Sequence, residues 1–387
     1  MSEHEWDVIV VGAGPAGATA ATDLAQRGYA VLLLDRQPFP RDKTCGDGVP
    51  GGAIRIMHRL GMQEKIEAAT RRGEFYPIKR LLLVSPRGVN IQADFETSDV
   101  GSYVAPRVYF DAVIQRQAVE AGAVFQVAQV TAPLVEAGRV VGVQARVNGE
   151  TAALRARIVI GADGATSVIA RGLRRAEHPD QHSAVALRAY IEDIEELPHA
   201  VEFYLYREIL PGYAWIFPTG EGRANLGLGM RLDKFRRIQG NLKEMLRHFL
   251  SLPSIQKRLK RGGELTGVKT WQLAFGSLKE TPRVFDGALL VGDAGAFINP
   301  LTGGGIYNGL ISAEIAADVI DQALRAGDTS RAHLLPYAER CDAALWEGMH
   351  RSYLLQHWLL RFPLLVDALA WSMRENSNLA RTFLAKL

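Results

Sequence analysis

Short apolar runs rich in β-branched residues alternate with longer amphipathic stretches, and the first few set the pattern. Trp6–Val11 has the length and composition of a buried strand, residues 12–17 of a turn, and the alanine-rich residues 18–27 of a helix ended by Gly28. A second apolar run, residues 31–34, stops at Asp35 and completes a β-α-β unit. Runs this continuously apolar imply a parallel sheet covered on both faces.

Further along, residues 37–52 are rich in Pro, Gly, Asp and Lys and read as a long ordered loop of the kind that usually carries function. Residues 53–69 read as helix, 81–93 as alternating antiparallel strands, and 110–121 as an amphipathic helix. Strands follow near 124–129, 139–147 and 157–160, then several antiparallel strands over 183–232 and helices over 242–261. Residues 288–291 form another buried run, leading to a helix over about 304–324, and from 336 onward the pattern is mostly helical. There is no internal repeat and no low-complexity linker.

Composition narrows the function classes. With 48% hydrophobic and 22% charged residues in 387, the chain is globular and not disordered. A net charge of +3 gives no basic surface for nucleic acid. The run Lys257, Arg258, Lys260, Arg261 is expected to be a solvated helix end. Two cysteines, Cys45 and Cys341, cannot build a disulfide framework, which fits a reducing, cytoplasmic setting. The first apolar run leads into a glycine turn, so no signal peptide is expected. The stretch 353–373 is too interrupted, by Arg361, Pro363 and Asp367, to span a membrane. Only His178 and His182 have ligand-like spacing; Pro179 between them argues for a loop, and no metal is expected.

The candidate chemistry begins at Gly12-Ala13-Gly14-Pro15-Ala16-Gly17, between a strand and a helix. Gly12 allows a tight turn, Gly14 lets the backbone approach a pyrophosphate at the helix N-terminus, and Gly17 lets helix and strand pack closely. Asp35 is placed to hold a ribose hydroxyl pair, with Arg36 and Arg41 beside it. This turn alone does not separate FAD from a nicotinamide cofactor. Two later segments add to it: Gly161-Ala162-Asp163-Gly164 and Gly292-Asp293-Ala294-Gly295, each following an apolar run. Asp293 can accept from a ribityl hydroxyl. The N–H groups of Gly303, Gly304 and Gly305, opening a helix, can face the electron-rich edge of a reduced flavin.

These three motifs, in this order, resemble the para-hydroxybenzoate hydroxylase-like flavoproteins to about residue 325. The resemblance implies tightly held FAD and places Arg107 near the flavin or pyrophosphate. It also implies an α/β fold: a Rossmann-like FAD-binding domain (1–75, 101–182, 280–330) interleaved with an antiparallel-sheet substrate domain (76–100, 183–279), plus a helical C-terminal region (331–387). There is no second glycine-rich nucleotide turn, so NAD(P)H would visit transiently or a ferredoxin-type protein would supply electrons.

The loop Pro40-Arg41-Asp42-Lys43-Thr44-Cys45-Gly46-Asp47-Gly48 and the strand Tyr213-Ala214-Trp215-Ile216-Phe217-Pro218 look like the geranylgeranyl reductase family. That family saturates C=C bonds of polyprenyl chains. The resemblance implies that Cys45, Gly46 and Asp47 pass close to the flavin and that Tyr213, Trp215 and Phe217, with Gly48, line the substrate cavity. An isolated alkene needs hydride on one carbon and a proton on the other, so Tyr213 or Cys45 is the expected proton source, beside the aromatic face of Trp215. The implied partner is a polyprenyl lipid. The apolar, arginine-punctuated C-terminal stretch is read either as an amphipathic helix that meets a membrane and admits lipid or as a helix packed on the protein's own core or on a second subunit. The alternative is an FAD-dependent aromatic hydroxylase on the same fold, because fold does not fix reaction. A halogenase strand would read Trp-x-Trp-x-Ile-Pro, which Tyr213 and Phe217 break.

Overall fold

The strand Trp6–Val11 lies at the centre of an eight-stranded sheet, parallel to Val31–Asp35 on one side and Glu150–Gly161 on the other. The structure is a computed structural model, and it describes residues 6–94, 100–174, 178–195, 198–205, 207–260, 263–358 and 361–375. Val124–Val127 and Ala288–Leu290 extend the sheet in parallel at either side. Successive side chains of a strand face opposite ways. Val8 and Val10 pack under the helices Pro15–Gln26 and Ile306–Ala326, whereas Ile9 and Val11 join a core with Val143 and Ile169.

That second face is covered too, as the apolar runs suggested, though by strands and one short helix. Glu150–Gly161 is twelve residues long and serves twice. Its first half pairs antiparallel with Arg139–Val147, which pairs with Gln129–Glu136, and its second half is parallel to Trp6–Val11. The short helix Val168–Leu173 completes the cover.

A second sheet of seven strands runs in the order Leu265–Ala274, Ser183–Ile191, Arg223–Arg231, Tyr213–Gly220, Ala200–Tyr204, Arg80–Val84, Asn90–Asp94. Its pairings are antiparallel except Ala200–Tyr204 with Arg80–Val84, which is parallel. Ala214 and Ile216 pack toward Leu242, Leu246 and Phe249 of the helix Leu242–Ser251. Tyr213, Trp215 and Phe217 therefore face the other way, with Phe203, toward the first sheet.

Several elements differ from the sequence pattern. The expected helix over 53–69 is two, Gly51–Arg59 and Gln63–Arg71, broken where Gly61 adopts φ +83°. The loop 37–52 contains a two-residue strand, Gly48–Val49, held by Ser102–Val104, which also pairs with Tyr76–Ile78. Leu265–Ala274 and the helix Leu232–Arg237 were not expected within 183–279 as separate elements. The basic run is not simply a solvated helix end: Arg258 forks onto Glu202, 2.7 Å to each carboxylate oxygen, and Glu202 is fully buried. A carboxylate inside the sheet needs such a partner. Arg261 lies outside the described residues. At the C-terminus come the helices Pro336–Cys341, Glu347–Trp358 and Pro363–Glu375; Leu359, Leu360 and residues 376–387 lie outside the described residues. No helix among the described residues is long and apolar enough to cross a membrane.

Candidate active site

A cavity of about 710 Å³ runs between the two sheets. It starts at the glycine turn, where Gly12, Gly14, Pro15 and Ala16 line it. Gly12 needs φ +100°, outside the range of L side chains. Gly17 does not line the cavity; it packs against the Gly12 backbone, which fixes the N-terminus of the twelve-residue helix at the turn. Asp35 lies at the same end, where its Oδ2 accepts from Ala13 N–H at 3.0 Å and from Arg41 at 3.1 Å. Arg36, Arg41 and Arg107 also border the cavity. Arg107 is only 7% exposed; its guanidinium and that of Arg41 converge on buried Asp111, at 2.8 Å and 3.0 Å.

On the far side, Gly292, Asp293 and Gly303 to Gly305 line the cavity at the start of the 21-residue helix Ile306–Ala326. A Cβ added to Gly292 would lie 2.9 Å from Ala16 Cβ, and one added to Gly309 would lie 3.5 Å from both Ala16 Cβ and Gly292 Cα, so this helix, the Asp293 turn and Ala16 meet closely. Asp163 borders the cavity too, but its carboxylate is engaged in capping: it accepts from Ser167 Oγ and, at 2.6 Å, from Val168 N–H. Two helix N-termini and three arginines thus open on one space, a donor set suited to the phosphates and ribityl chain of FAD. The residues fit that cofactor.

The Cys45 loop crosses between these two ends. Cys45, Gly46 and Gly48 line the cavity, and Gly46 sits under the aromatic strand: a Cβ there would lie 3.3 Å from Phe217 and 3.5 Å from Trp215 Nε1. Cys45 Sγ accepts from Asp47 N–H at 3.3 Å and sits by the Arg107 guanidinium. The Tyr213 hydroxyl donates to the Thr302 carbonyl, beside Gly303. Burial pushes the Cys45 thiol and the Tyr213 phenol above their ordinary values, so both hold their protons at neutral pH. Lys43 lies over the Trp271 ring at 4.0 Å, and burial lowers it to about 8.

Asp47 does not line the cavity but anchors the loop from behind. It is fully buried with φ +63°, and its Oδ2 accepts from Tyr190 Oη at 2.6 Å and Asn225 Nδ2 at 2.7 Å. Asn225 in turn accepts from Trp215 Nε1 at 2.9 Å and donates to the Cys45 carbonyl at 2.8 Å. One amide therefore ties the loop to the indole. Arg188, stacked on Tyr190 at 4.5 Å, reaches Asp42 at 2.7 Å. Asn225, Tyr190 and Arg188 were not among the sequence candidates. The available signal was Asn225 itself, a polar residue at an inward position of an apolar strand.

Burial raises the Asp47 carboxyl from 3.8 to about 6, against the hydrogen bonds from Tyr190 and Asn225. A raised acid binds its proton more tightly when folded, so the stability it contributes declines as pH rises from about 4 to about 6. At about 1.4 kcal/mol per unit, the decline is at most about 3 kcal/mol. Asp47→Asn removes this titration. Thermal unfolding of both proteins should show the variant gaining on the wild type between those pH values; a constant gap would refute the raised value.

His178 and His182 play another part. His178 Nε2 bonds Phe275 O at 3.0 Å, and His182 stacks on Tyr353 at 4.7 Å, pinning the Glu347–Trp358 helix to the second sheet. Burial lowers His178 to about 4.

Beyond Trp215 the cavity continues past Leu81, Leu83 and Ile91 of the second sheet to Leu355, Val366 and Met373 of the C-terminal helices. None of these side chains titrates.

The FAD binding domain family model matches residues 5–352. The digeranylgeranylglycerophospholipid reductase of Methanosphaerula palustris is 34% identical over 370 residues, covering 92% of this chain and 87% of that one. A digeranylgeranylglycerophospholipid reductase of Methanopyrus kandleri is 36% identical over 351 residues, covering 87% and 82%. A geranylgeranyl bacteriochlorophyll reductase-like protein from Thermoplasma acidophilum superposes with TM-score 0.84 at 29% identity, covering 94% and 90%. A flavin-dependent brominase superposes with TM-score 0.78 at 20% identity, covering 97% and 92%, which speaks of fold alone.

Proposed function

Because the chain belongs to the FAD-binding domain family, in its geranylgeranyl reductase branch of FAD-dependent oxidoreductases, we infer that it saturates C=C bonds of a polyprenyl lipid or prenyl side chain. The observation that carries this reading is the far half of the cavity, which runs from the Trp215 face to the C-terminal helices mainly between Leu, Ile, Val and Met side chains, with Ser85 and Gln356 among them. An extended hydrocarbon chain matches such a lining, and a small polar substrate would leave it in contact with water.

When bound and reduced, FAD would supply hydride chemistry. The glycine turn with Asp35, Arg36, Arg41 and Arg107 would hold the dinucleotide, and Asp293 with Gly303 to Gly305 would hold the flavin end. Trp215 and Phe217 exclude water and offer π-faces to the carbon that gains positive character. Tyr213 or Cys45, each protonated at neutral pH, gives the proton that completes saturation. Electrons reach the site from a transiently bound NAD(P)H or a ferredoxin-type protein. The lipid is met by peripheral contact with a membrane.

The test is anaerobic incubation of the chemically reduced holoenzyme with a geranylgeranyl-bearing lipid, followed by mass spectrometry. A gain of two hydrogens per saturated bond, without oxygen, is expected. Oxygen-dependent NAD(P)H oxidation with a hydroxylated product and no such gain would replace this reading with a monooxygenase.

A further inference from the structure

Among the described residues, the five large apolar side chains most open to solvent all fall within residues 358–371. They are Trp358 (58%), Phe362 (49%), Leu364 (58%), Leu365 (55%) and Trp371 (58%). Three of them belong to the helix Pro363–Glu375, whose other side is equally apolar. Val366, Leu369, Ala370 and Met373, at helical spacing, line the cavity; Leu369, Ala370 and Met373 pack toward Leu81, Leu83 and Ile91, and Val366 against Leu210. One helix therefore separates the aliphatic end of the cavity from the most exposed apolar face of the molecule.

Charge does not oppose this arrangement. From Glu347 to Glu375 the chain carries three arginines, Arg351, Arg361 and Arg374, against three carboxylates, Glu347, Asp367 and Glu375, and Arg351 lies 3.6 Å from Glu347. Asp367 is 7% exposed and turned inward, where its Oδ1 accepts from Ser85 Oγ at 2.7 Å and Arg87 N–H at 2.9 Å. That contact fastens the helix to the sheet and leaves the middle of the outward face apolar, with a tryptophan toward each end. Such a face, backed by a cavity that holds a hydrocarbon chain, suits the boundary between headgroups and acyl chains of a lipid bilayer, where tryptophan settles.

We propose that Pro363–Glu375, with the Trp358 end of the preceding helix, is the surface that seats the protein on a lipid bilayer and the portal under which a prenyl chain passes from bilayer to cavity. The portal half rests on the proposed prenyl reduction; the seating half does not.

The test uses the full-length holoenzyme with vesicles of phosphatidylcholine alone or mixed with phosphatidylglycerol. The protein should float with both kinds of vesicle, and brominated acyl chains should quench tryptophan fluorescence. The triple variant Leu364→Ser, Leu365→Ser, Trp371→Ser touches no cavity-lining residue and should keep its FAD. Its vesicle affinity should fall by about tenfold or more, since each exposed apolar side chain is worth over 1 kcal/mol when buried. The control Val124→Ser, Val135→Ser, exposed elsewhere, should float like the wild type. The triple variant should reduce detergent-dispersed substrate at the wild-type rate and vesicle-embedded substrate about tenfold more slowly.

Equal flotation of triple variant and wild type would overturn the proposal. So would no flotation of the wild type, or a wild-type dimer that the triple variant abolishes, which would give the face to a second copy. Equal losses on detergent-dispersed and embedded substrate would overturn the portal. Flotation that depends on these side chains, with no prenyl substrate reduced in either form, would remove the proposed activity and the portal and leave the seating face in place.

Discussion

Replacing Gly17 with alanine is expected to yield a protein that no longer retains FAD. An added Cβ would sit 1.9 Å from the Gly12 carbonyl oxygen and 2.9 Å from Ala162 Cβ. The Gly12 backbone cannot yield, because its N–H donates to Leu34 O at 2.7 Å and its φ of +100° is already at the limit of the turn. The helix Pro15–Gln26 must therefore move off the strands by about 1 Å, which overpacking of a core typically makes costly by 1 to 3 kcal/mol or more. That movement also carries the helix N-terminus away from the phosphate position. Gly14→Ala is a useful contrast. Its Cβ would meet only the tips of Arg41 and Arg107, at 3.7 Å and 4.0 Å, so the fold should tolerate it and any loss of flavin would come from the ligand side. Gly348→Ala, which meets nothing within 4 Å, is the neutral control. Flavin absorbance per protein, read beside the melting temperature, separates the three. A Gly17→Ala protein with full flavin content would refute the close packing.

What could be read from the chain was local. The turn from Gly12 to Gly17 and the buried run Val31–Asp35 declare themselves within a few residues, because a glycine turn and a fully apolar strand need no distant partner to be recognised. Tyr213, Trp215 and Phe217 share a face by the period of two alone. The loop around Cys45 was legible as ordered, but not what orders it. Asn225 reaches Asp47 across 178 residues, and Arg188 reaches Asp42 across 146. Leu265–Ala274 escaped notice for the opposite reason. It is an edge strand, largely exposed, with no apolar alternation, and it is held by backbone pairing to Ser183–Ile191. At the C-terminus the apolar content was plain, but which of those side chains turn toward a cavity depends on Leu81, Leu83 and Ile91, far away in the chain.

Trp215→Ala is expected to lower turnover by about a hundredfold or more, near 2.7 kcal/mol of transition-state stabilisation, with FAD still bound. The indole fills the space over Gly46, and nothing beside it can expand to take its place: Gly227 is a glycine because a Cβ there would lie 2.4 Å from the ring. Removing a buried aromatic of this size costs about 3 to 5 kcal/mol in stability and admits water where the alkene must be dry. It also strands Asn225 Oδ1, the acceptor that links the ring to the Cys45 loop. Trp215→Phe keeps a π-face and loses only that hydrogen bond, so its loss should be nearer tenfold. Gly227→Ala gives a sharper comparison. Residue 227 does not line the cavity, yet its methyl group would lie 2.1 Å from the Leu187 carbonyl oxygen and 2.4 Å from the indole, so it must shift both the strand pairing and the ring, and the variant should resemble Trp215→Ala in turnover, with a lower melting temperature, while keeping every cavity side chain. Turnover of the reduced holoenzyme on a prenyl lipid, with flavin content as the check on folding, ranks the three. If Trp215→Ala stays within a few-fold of the wild type, the aromatic wall serves only to pack the sheet, and the site of carbon–carbon bond reduction must be sought elsewhere along the cavity.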